Sequence, residues 1–274
     1  MDDYQEEIQI PEFPLTEKFD KRKSFIIHCI GAPGSGKTHF INFVAYERKH
    51  VYPVGVVMCQ SENTQGAFTP IFGGAFTTSE YNERKHKMLS NRQKLTKKEG
   101  CDNNLCFKVI DDFGGSKNGG KSDTIAIDHK VGSQHYGQLL IMGYQTVQDI
   151  PDDIQNTPTF VVIFLEKDDG NRRRLHKKYF KTYIPEYADF SNLMNDICKK
   201  HTCLIVDFRK QSSDLQECVF WYKAPAWDHG KDEEGETIYK GYPPGFRFGC
   251  KQFQQWSDLR FDPNAIPGLD LEDF

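Results

Sequence analysis

The chain has 274 residues, a net charge of −4, and 27% charged and 13% aromatic residues, enough to bury one large core or one core with a small appendage. A mean hydropathy of −0.64, with no apolar run reaching the ~18 residues of a membrane-spanning helix, excludes a helical membrane protein. The acidic start, from Met1 to Glu7, has no apolar signal region and argues against secretion. Residues 1–22 read as an N-terminal lead-in, with Pro11 and Pro14 breaking regular structure.

The first regular elements are the most informative. A buried-strand run, Ser24 to Ile30, leads into G-A-P-G-S-G-K-T at 31–38, and apolar residues follow at helical spacing from His39 to Tyr46. Gly31, Gly36, Lys37 and Thr38 satisfy the phosphate-loop pattern G-x-x-x-x-G-K-[ST]. Glycines let the backbone wrap close enough to aim N–H groups at phosphate oxygens. The lysine then reaches the β/γ-phosphates, and the hydroxyl reaches Mg²⁺. The following helix directs its positive end at the same place. Residues Gly31, Ala32, Pro33, Gly34, Ser35, Gly36, Lys37, Thr38 and His39 are therefore the expected phosphate cradle for ATP.

Next along the chain is a basic segment, Arg84 to Lys98, with seven Lys/Arg and no acid. Arg84, Lys85, Lys87, Arg92, Lys94, Lys97 and Lys98 are candidates for contact with a polyphosphate backbone, where counterion release supplies affinity without reading sequence. The alternative is a solvated helix face or a subunit-facing charge cluster. After it, an apolar run from Leu105 ends in Asp111 and Asp112, a Walker B element. Asp111 is placed to hold Mg²⁺ through water, and Asp112 to polarise an attacking water. A second literal match to the phosphate-loop pattern, Gly115 to Ser122, follows those two acids directly. They would repel a bound phosphate, so this segment reads as a mobile Gly-rich loop and a decoy.

The apolar run 138–144 ends at Gln145, an amide suited to contacting a γ-phosphate or its attacking water. A second basic run, Arg172 to Lys181, follows the last core strand. Candidate strands are 25–30, 54–59, 105–110, 139–144, 159–165, 203–207 and 218–223; candidate helices are 37–49, 80–97, 124–135 and 187–200. The alternation predicts an α/β fold with a mostly parallel sheet covered by helices on both faces. Ligands of such sheets bind at the carboxyl ends of the strands. The eight cysteines contain no CxxC pair and several lie in apolar runs, so they read as reduced core thiols rather than a zinc site. The ATPase domain is expected over 23–224, and 225–274 as an acidic, irregular C-terminal extension.

These residues together resemble the genome-packaging ATPase of large double-stranded DNA viruses, within the FtsK/HerA-type branch of P-loop translocases. The resemblance rests on Val109 to Asp112, on His135-Tyr136, on Gln145, and on Ile150 to Asn156, similar to the family's "RHY…SQ…IPxxIRxN" segment. It continues through Cys203 to Asp207 and Cys218 to Ala224, and spans roughly residues 22 to 225. It implies a RecA-like P-loop NTPase sheet with an additional strand between the P-loop strand and the Walker B strand. It also implies ATP hydrolysis with Mg²⁺, driving duplex DNA into a preformed capsid. The partners implied are double-stranded DNA, further copies of the chain in a ring, and capsid or vertex proteins. The place implied is the host cytoplasm at the assembly site, or the virion. Where the family has arginine, this chain has Gln134 and Gln155. The arginine finger offered to a neighbouring subunit is therefore sought among Arg172, Arg173 and Arg174, with Arg173 as candidate. The alternatives are a cellular-type DNA translocase or helicase, a nucleotide-kinase-like phosphotransferase, and a P-loop protein that uses ATP only as an assembly switch.

Overall fold

The structure is a computed structural model that describes residues 8–21, 23–102, 104–112, 122–231 and 234–261. Eight strands form one sheet: β1 Phe25–Ile30, β2 Val54–Cys59, β3 Thr77–Thr78, β4 Cys106–Asp111, β5 Gln138–Tyr144, β6 Phe160–Ile163, β7 Cys203–Asp207 and β8 Val219–Tyr222. Their order is β3-β2-β4-β5-β1-β6-β7-β8. Neighbours from β3 to β6 are parallel, and the last two pairings are antiparallel. The P-loop strand β1 thus lies at the centre, and β5 separates it from the Walker B strand β4, as the resemblance implied.

Central strands of a parallel sheet are covered on both faces, which is why β1, β4 and β5 read as continuous apolar runs and are buried at every position. Alternate residues build two cores. One face carries Phe25, Ile27, Phe107, Val109, Leu139 and Ile141 against Phe40, Ile41 and Val44 of the helix Lys37–Arg48. The other carries Ile26, Ile110, Leu140 and Met142 against Ile125 and the helix Tyr187–Ile197.

Several helices lie outside the expected elements, among them Leu15–Lys21 in the lead-in, Lys251–Phe261 in the C-terminal stretch expected to be irregular, and two in the body. Glu62–Phe72 contains Gly66 and Pro70, both poor helix formers, yet buries Phe68, Ile71 and Phe72; packing overrides propensity there. Asp169–Leu175 is capped by the Asp168 side chain, which accepts from Asn171 N at 2.7 Å, and runs into a wide π-type turn over His176–Phe180. The expected helix 124–135 is Asp123–His135 with a π-type turn at Asp128–Gly132. The expected helix 187–200 stops at Ile197.

In the lead-in, Pro11 O accepts from Trp221 N (3.0 Å) and Phe13 N donates to Trp221 O (2.8 Å), so this segment lines the edge strand β8. A short helix, Leu15–Lys21, then buries Phe19. Beyond β8, an exposed antiparallel hairpin, β9 Asp228–Lys231 and β10 Thr237–Lys240, precedes a return over the body. Phe248 stacks on Phe72 at 4.6 Å and Phe253 on Phe76 at 4.1 Å.

Candidate nucleotide-binding site

The phosphate loop leaves the carboxyl end of β1, where Gly31 N donates to Tyr144 O at 3.1 Å. A Cβ on Gly31 would lie 2.7 Å from Ser35 Oγ and 2.9 Å from Phe164 Cβ, so only glycine fits this bend. Ala32, Pro33 and Gly34 are exposed, and Gly36 (φ 113°) turns the chain into the helix that begins at Lys37. Lys37 is 6% exposed; its Nζ donates to Gly31 O at 2.5 Å and lies 3.8 Å from Asp112 Oδ1. Thr38 follows in the first helical turn and is half-buried. The His39 imidazole turns away from the loop: Nδ1 lies 3.2 Å from the Tyr242 hydroxyl and Nε2 3.3 Å from Ala224 O.

The two acids end β4 on the flank reached across β5. Asp111 is 1% exposed, and burial together with the neighbouring Asp112 carboxylate pushes its carboxyl up to about 6, against the pull of Lys37. Space for it comes from Gly143, the β5 residue paired with both Asp111 and Cys29. Asp112 adopts a left-handed conformation (φ 64°), an uncommon geometry for a non-glycine residue that clusters at functional sites. Asp111 Oδ1, Asp112 Oδ1 and Ser35 Oγ are buried without a hydrogen-bond partner among the described residues. Buried polar atoms are normally satisfied. The two buried carboxylates beside Lys37 therefore suit a hard divalent cation with a phosphate ligand. Gln145 stands exposed one position beyond the Ile30–Tyr144 register pair, between the strands that carry the loop and the acids.

The remaining candidates are more dispersed. Arg172 is tied to Glu166 O (Nε, 3.0 Å) and Ser191 Oγ (2.8 Å). Arg173 is exposed, pairs with Asp169 at 2.8 Å and lies over the Tyr187 ring. Arg174 bonds Asn171 Oδ1 at 3.0 Å. Where the family's second arginine would stand, the Gln155 side chain accepts from the Lys178 amine. The first basic segment is the helix Glu83–Lys98, capped by Asn82, whose side chain accepts from Lys85 N at 2.9 Å. Its start is tied to Ser122 and Thr124 through Glu83, and its end to Asn104 O and Tyr136 O through Gln93. Arg84, Lys85 and Lys87 therefore lie towards the carboxyl end of the sheet, and Lys94, Lys97 and Lys98 towards the amino end. Arg92 donates to Gln93, and Lys97 sits over the Tyr136 ring. Of the decoy segment Gly115 to Ser122, residues 115–121 lie outside the described residues.

Sequence reading did not anticipate a buried charged cluster under this helix. Lys108 of β4, fully buried, donates to Asp128 Oδ2 (2.5 Å) and Ser90 Oγ (2.7 Å), and His86 Nε2 lies 2.6 Å from the same Asp128 oxygen. Burial alone would raise the Asp128 carboxyl, but the Lys108 ammonium and the His86 hydrogen bond hold it down at about 2. Beside the cluster, His28 of β1 lies 3.0 Å from His129 Nε2, and His129 Nδ1 donates to Ile125 O. Burial lowers both imidazoles, His129 to about 4, so both are neutral. The one available signal was a lysine inside an otherwise apolar strand. Among the described residues no cluster of His, Cys, Asp and Glu suits a tightly bound metal, and no helix is long and apolar enough to cross a membrane.

No family model matches the chain. Its sequence is similar to uncharacterised protein 088R of Invertebrate iridescent virus 3, 27% identical over 245 residues that span 87% of this chain and 85% of the relative. It is also similar to protein 015R of Frog virus 3, 25% identical over 96% of this chain and 81% of the relative. A third relative is protein L437 of Acanthamoeba polyphaga mimivirus, 26% identical over 92% and 86%. Among solved structures, the genome packaging NTPase B204 of Sulfolobus turreted icosahedral virus 2 in complex with sulfate superposes with a TM-score of 0.52 at 15% identity. It covers 74% of this chain and 97% of that one. The same enzyme in complex with ATP-gammaS superposes equally, at 16% identity over 73% and 97%. The chain shares its fold with this packaging NTPase, and the relatives that its sequence matches over 87–96% of its length are viral proteins.

Proposed function

We propose that this chain is an ATP-hydrolysing motor that moves double-stranded DNA, and that in a virus-infected host cell it drives the genome into a preformed capsid. The observation that carries the reading is the meeting of buried Lys37, 3.8 Å from Asp112 Oδ1, with Asp111 and Asp112. The Oδ1 atoms of both acids have no hydrogen-bond partner among the described residues, and the two acids stand two strands away from the loop's strand because β5 is inserted between them. Support for the DNA and capsid halves comes from the fold shared with a packaging NTPase and from the viral relatives.

In this reading the loop amides of residues 31–38 bind the phosphates, and Lys37 leaves the Gly31 carbonyl for the β/γ-phosphates. Thr38 and Asp111 would hold Mg²⁺, which would supply positive charge against the charge developing on the phosphates. Asp112 orients the attacking water. Gln145, at the tip of the strand between loop and acids, contacts the γ-phosphate and passes its loss to the rest of the chain. Copies form a ring on capsid or vertex proteins, and Arg173 reaches the neighbouring site, where such an arginine is typically worth ~10³–10⁵ in rate. The helix Glu83–Lys98 contacts the DNA backbone through its lysines and arginines.

Steady-state ATPase activity with and without long duplex DNA, at low and moderate salt, tests this beside a Lys37→Ala control. DNA stimulation that fades with salt and is absent in the control is expected. Hydrolysis indifferent to DNA, with or without capsid protein, would overturn the motor and leave a nucleotide switch.

A further inference from the structure

The turn that follows the helix Tyr187–Ile197 leans on the phosphate loop. Lys200 (φ 50°) and His201 (φ 68°) are consecutive left-handed residues, and Thr202 N donates back to Lys199 O at 3.0 Å. That is the positive-φ pair and closing bond of a type I′ turn, built without the glycine or asparagine such turns favour. Left-handed geometry in two adjacent non-glycine residues persists only where the surroundings hold it. What holds it is the loop itself. His201 Nδ1 lies 3.1 Å from Ser35 O, and a Cβ on Gly36 would fall 2.9 Å from His201 Cβ. Turn and loop together border a cavity of about 320 Å³, also lined by Leu165 and Glu166.

Ser35 C=O and Gly36 N–H belong to one planar trans peptide and point in opposite directions. A donor that holds the Ser35 carbonyl outward therefore holds the Gly36 amide inward, where a phosphate oxygen would sit. The carbonyl is acceptor only, so His201 Nδ1 carries the proton in this contact. Glycine at 36, free to rotate, gives this peptide no other restraint of its own.

We propose that His201 is a positioning residue for nucleotide binding: through the Ser35 carbonyl it fixes the Ser35–Gly36 peptide with its N–H turned into the phosphate cradle. The inference rests on the nucleotide reading above. It also explains why an exposed histidine occupies a left-handed position where glycine would be easier.

The test uses the full chain and calorimetric titration with ATP and with inorganic triphosphate, beside thermal melting without ligand. His201→Gly relaxes the turn while removing the donor. It is expected to melt no lower than the original chain, yet to bind both ligands about 3- to 10-fold more weakly, one hydrogen bond's worth of affinity. His201→Asn, which tolerates the left-handed region and places an amide nitrogen near the Nδ1 position, is expected to restore most of the affinity. Unchanged affinity in His201→Gly, with Lys37→Ala still abolishing binding, overturns the positioning role alone. Failure of the unaltered chain to bind either ligand, or binding indifferent to Lys37→Ala, overturns the nucleotide reading and this inference with it.

Discussion

Asp111 lays its carboxyl across Gly143 of the neighbouring strand: a Cβ at position 143 would fall 1.6 Å from Asp111 Oδ1. The glycine is the opening through which a Walker B carboxylate on β4 faces a loop carried by β1. Gly143→Ala must push that carboxyl aside or part the strands. The expected outcome is a loss of about 1–3 kcal/mol in stability from overpacking. Steady-state kinetics should show a fall in ATPase kcat larger than any change in folded fraction, and retention of full kcat would refute the alignment.

Asp111 also has a pH signature. Its carboxyl is raised from 3.8 to about 6 by burial and by Asp112. The folded state therefore holds a proton that the unfolded chain releases. This contribution to stability is present below pH 3.8 and is lost as pH rises through about 6. Without nucleotide or Mg²⁺, Asp111→Asn should stabilise the chain at pH 7 by roughly 1–3 kcal/mol while abolishing hydrolysis. Denaturant melts at pH 5 and 7 measure it, and a gap between variant and original chain that fails to widen with pH contradicts it.

The cluster of Lys108, Asp128 and His86 works in the opposite sense. Asp128 is held down from 3.8 to about 2, so its stabilisation is present above pH 3.8 and is lost as pH falls through about 2. Lys108→Ala strands a buried carboxylate and should cost about 3–5 kcal/mol, whereas the double change Lys108→Met with Asp128→Leu should recover most of that loss. Thermal melts of the single and double variants decide it; equal losses would show that the cluster does more than satisfy itself.

The helix Glu83–Lys98 makes a prediction for DNA. Arg84 and Lys87 lie near the loop end of the sheet, and Lys94 and Lys98 near the other. Neutralising a residue that touches phosphate should weaken binding to every sequence alike and reduce the salt slope by about 1 for each such residue. Fluorescence anisotropy of a duplex at several salt concentrations, with Arg84→Gln/Lys87→Gln against Lys94→Gln/Lys98→Gln, shows which end touches DNA. Unchanged slopes in both would leave the helix a solvated face.

Among the described residues, Arg173 pairs with Asp169 of its own helix and lies over the Tyr187 ring, so removing it should leave the isolated fold intact. In assembled rings, Arg173→Ala is expected to lower ATPase by about 10³-fold or more. Mixing it with Lys37→Ala subunits should restore some activity, because one copy then supplies the arginine and its neighbour the loop. Absence of any recovery in mixed rings would move the finger elsewhere.

Local sequence was enough to specify the loop, the two acids, the strand ending at Gln145 and most of the sheet. Each is a short-range pattern: glycines at fixed spacing, apolar runs four to seven residues long, carboxylates at a strand end. Glu62–Phe72 escaped it because Gly66 and Pro70 oppose a helix that only burial of Phe68 and Phe72 sustains. Strand order lay beyond local pattern too, since pairing joins residues far apart in the chain; the insertion of β5 between β1 and β4 was implied by the family resemblance and not by periodicity. For the same reason only the folded chain could place Gly143 under Asp111, Lys108 against Asp128, and His201 on the Ser35 carbonyl. Those relations depend on side-chain direction across strands and turns, which periodicity along one segment does not encode.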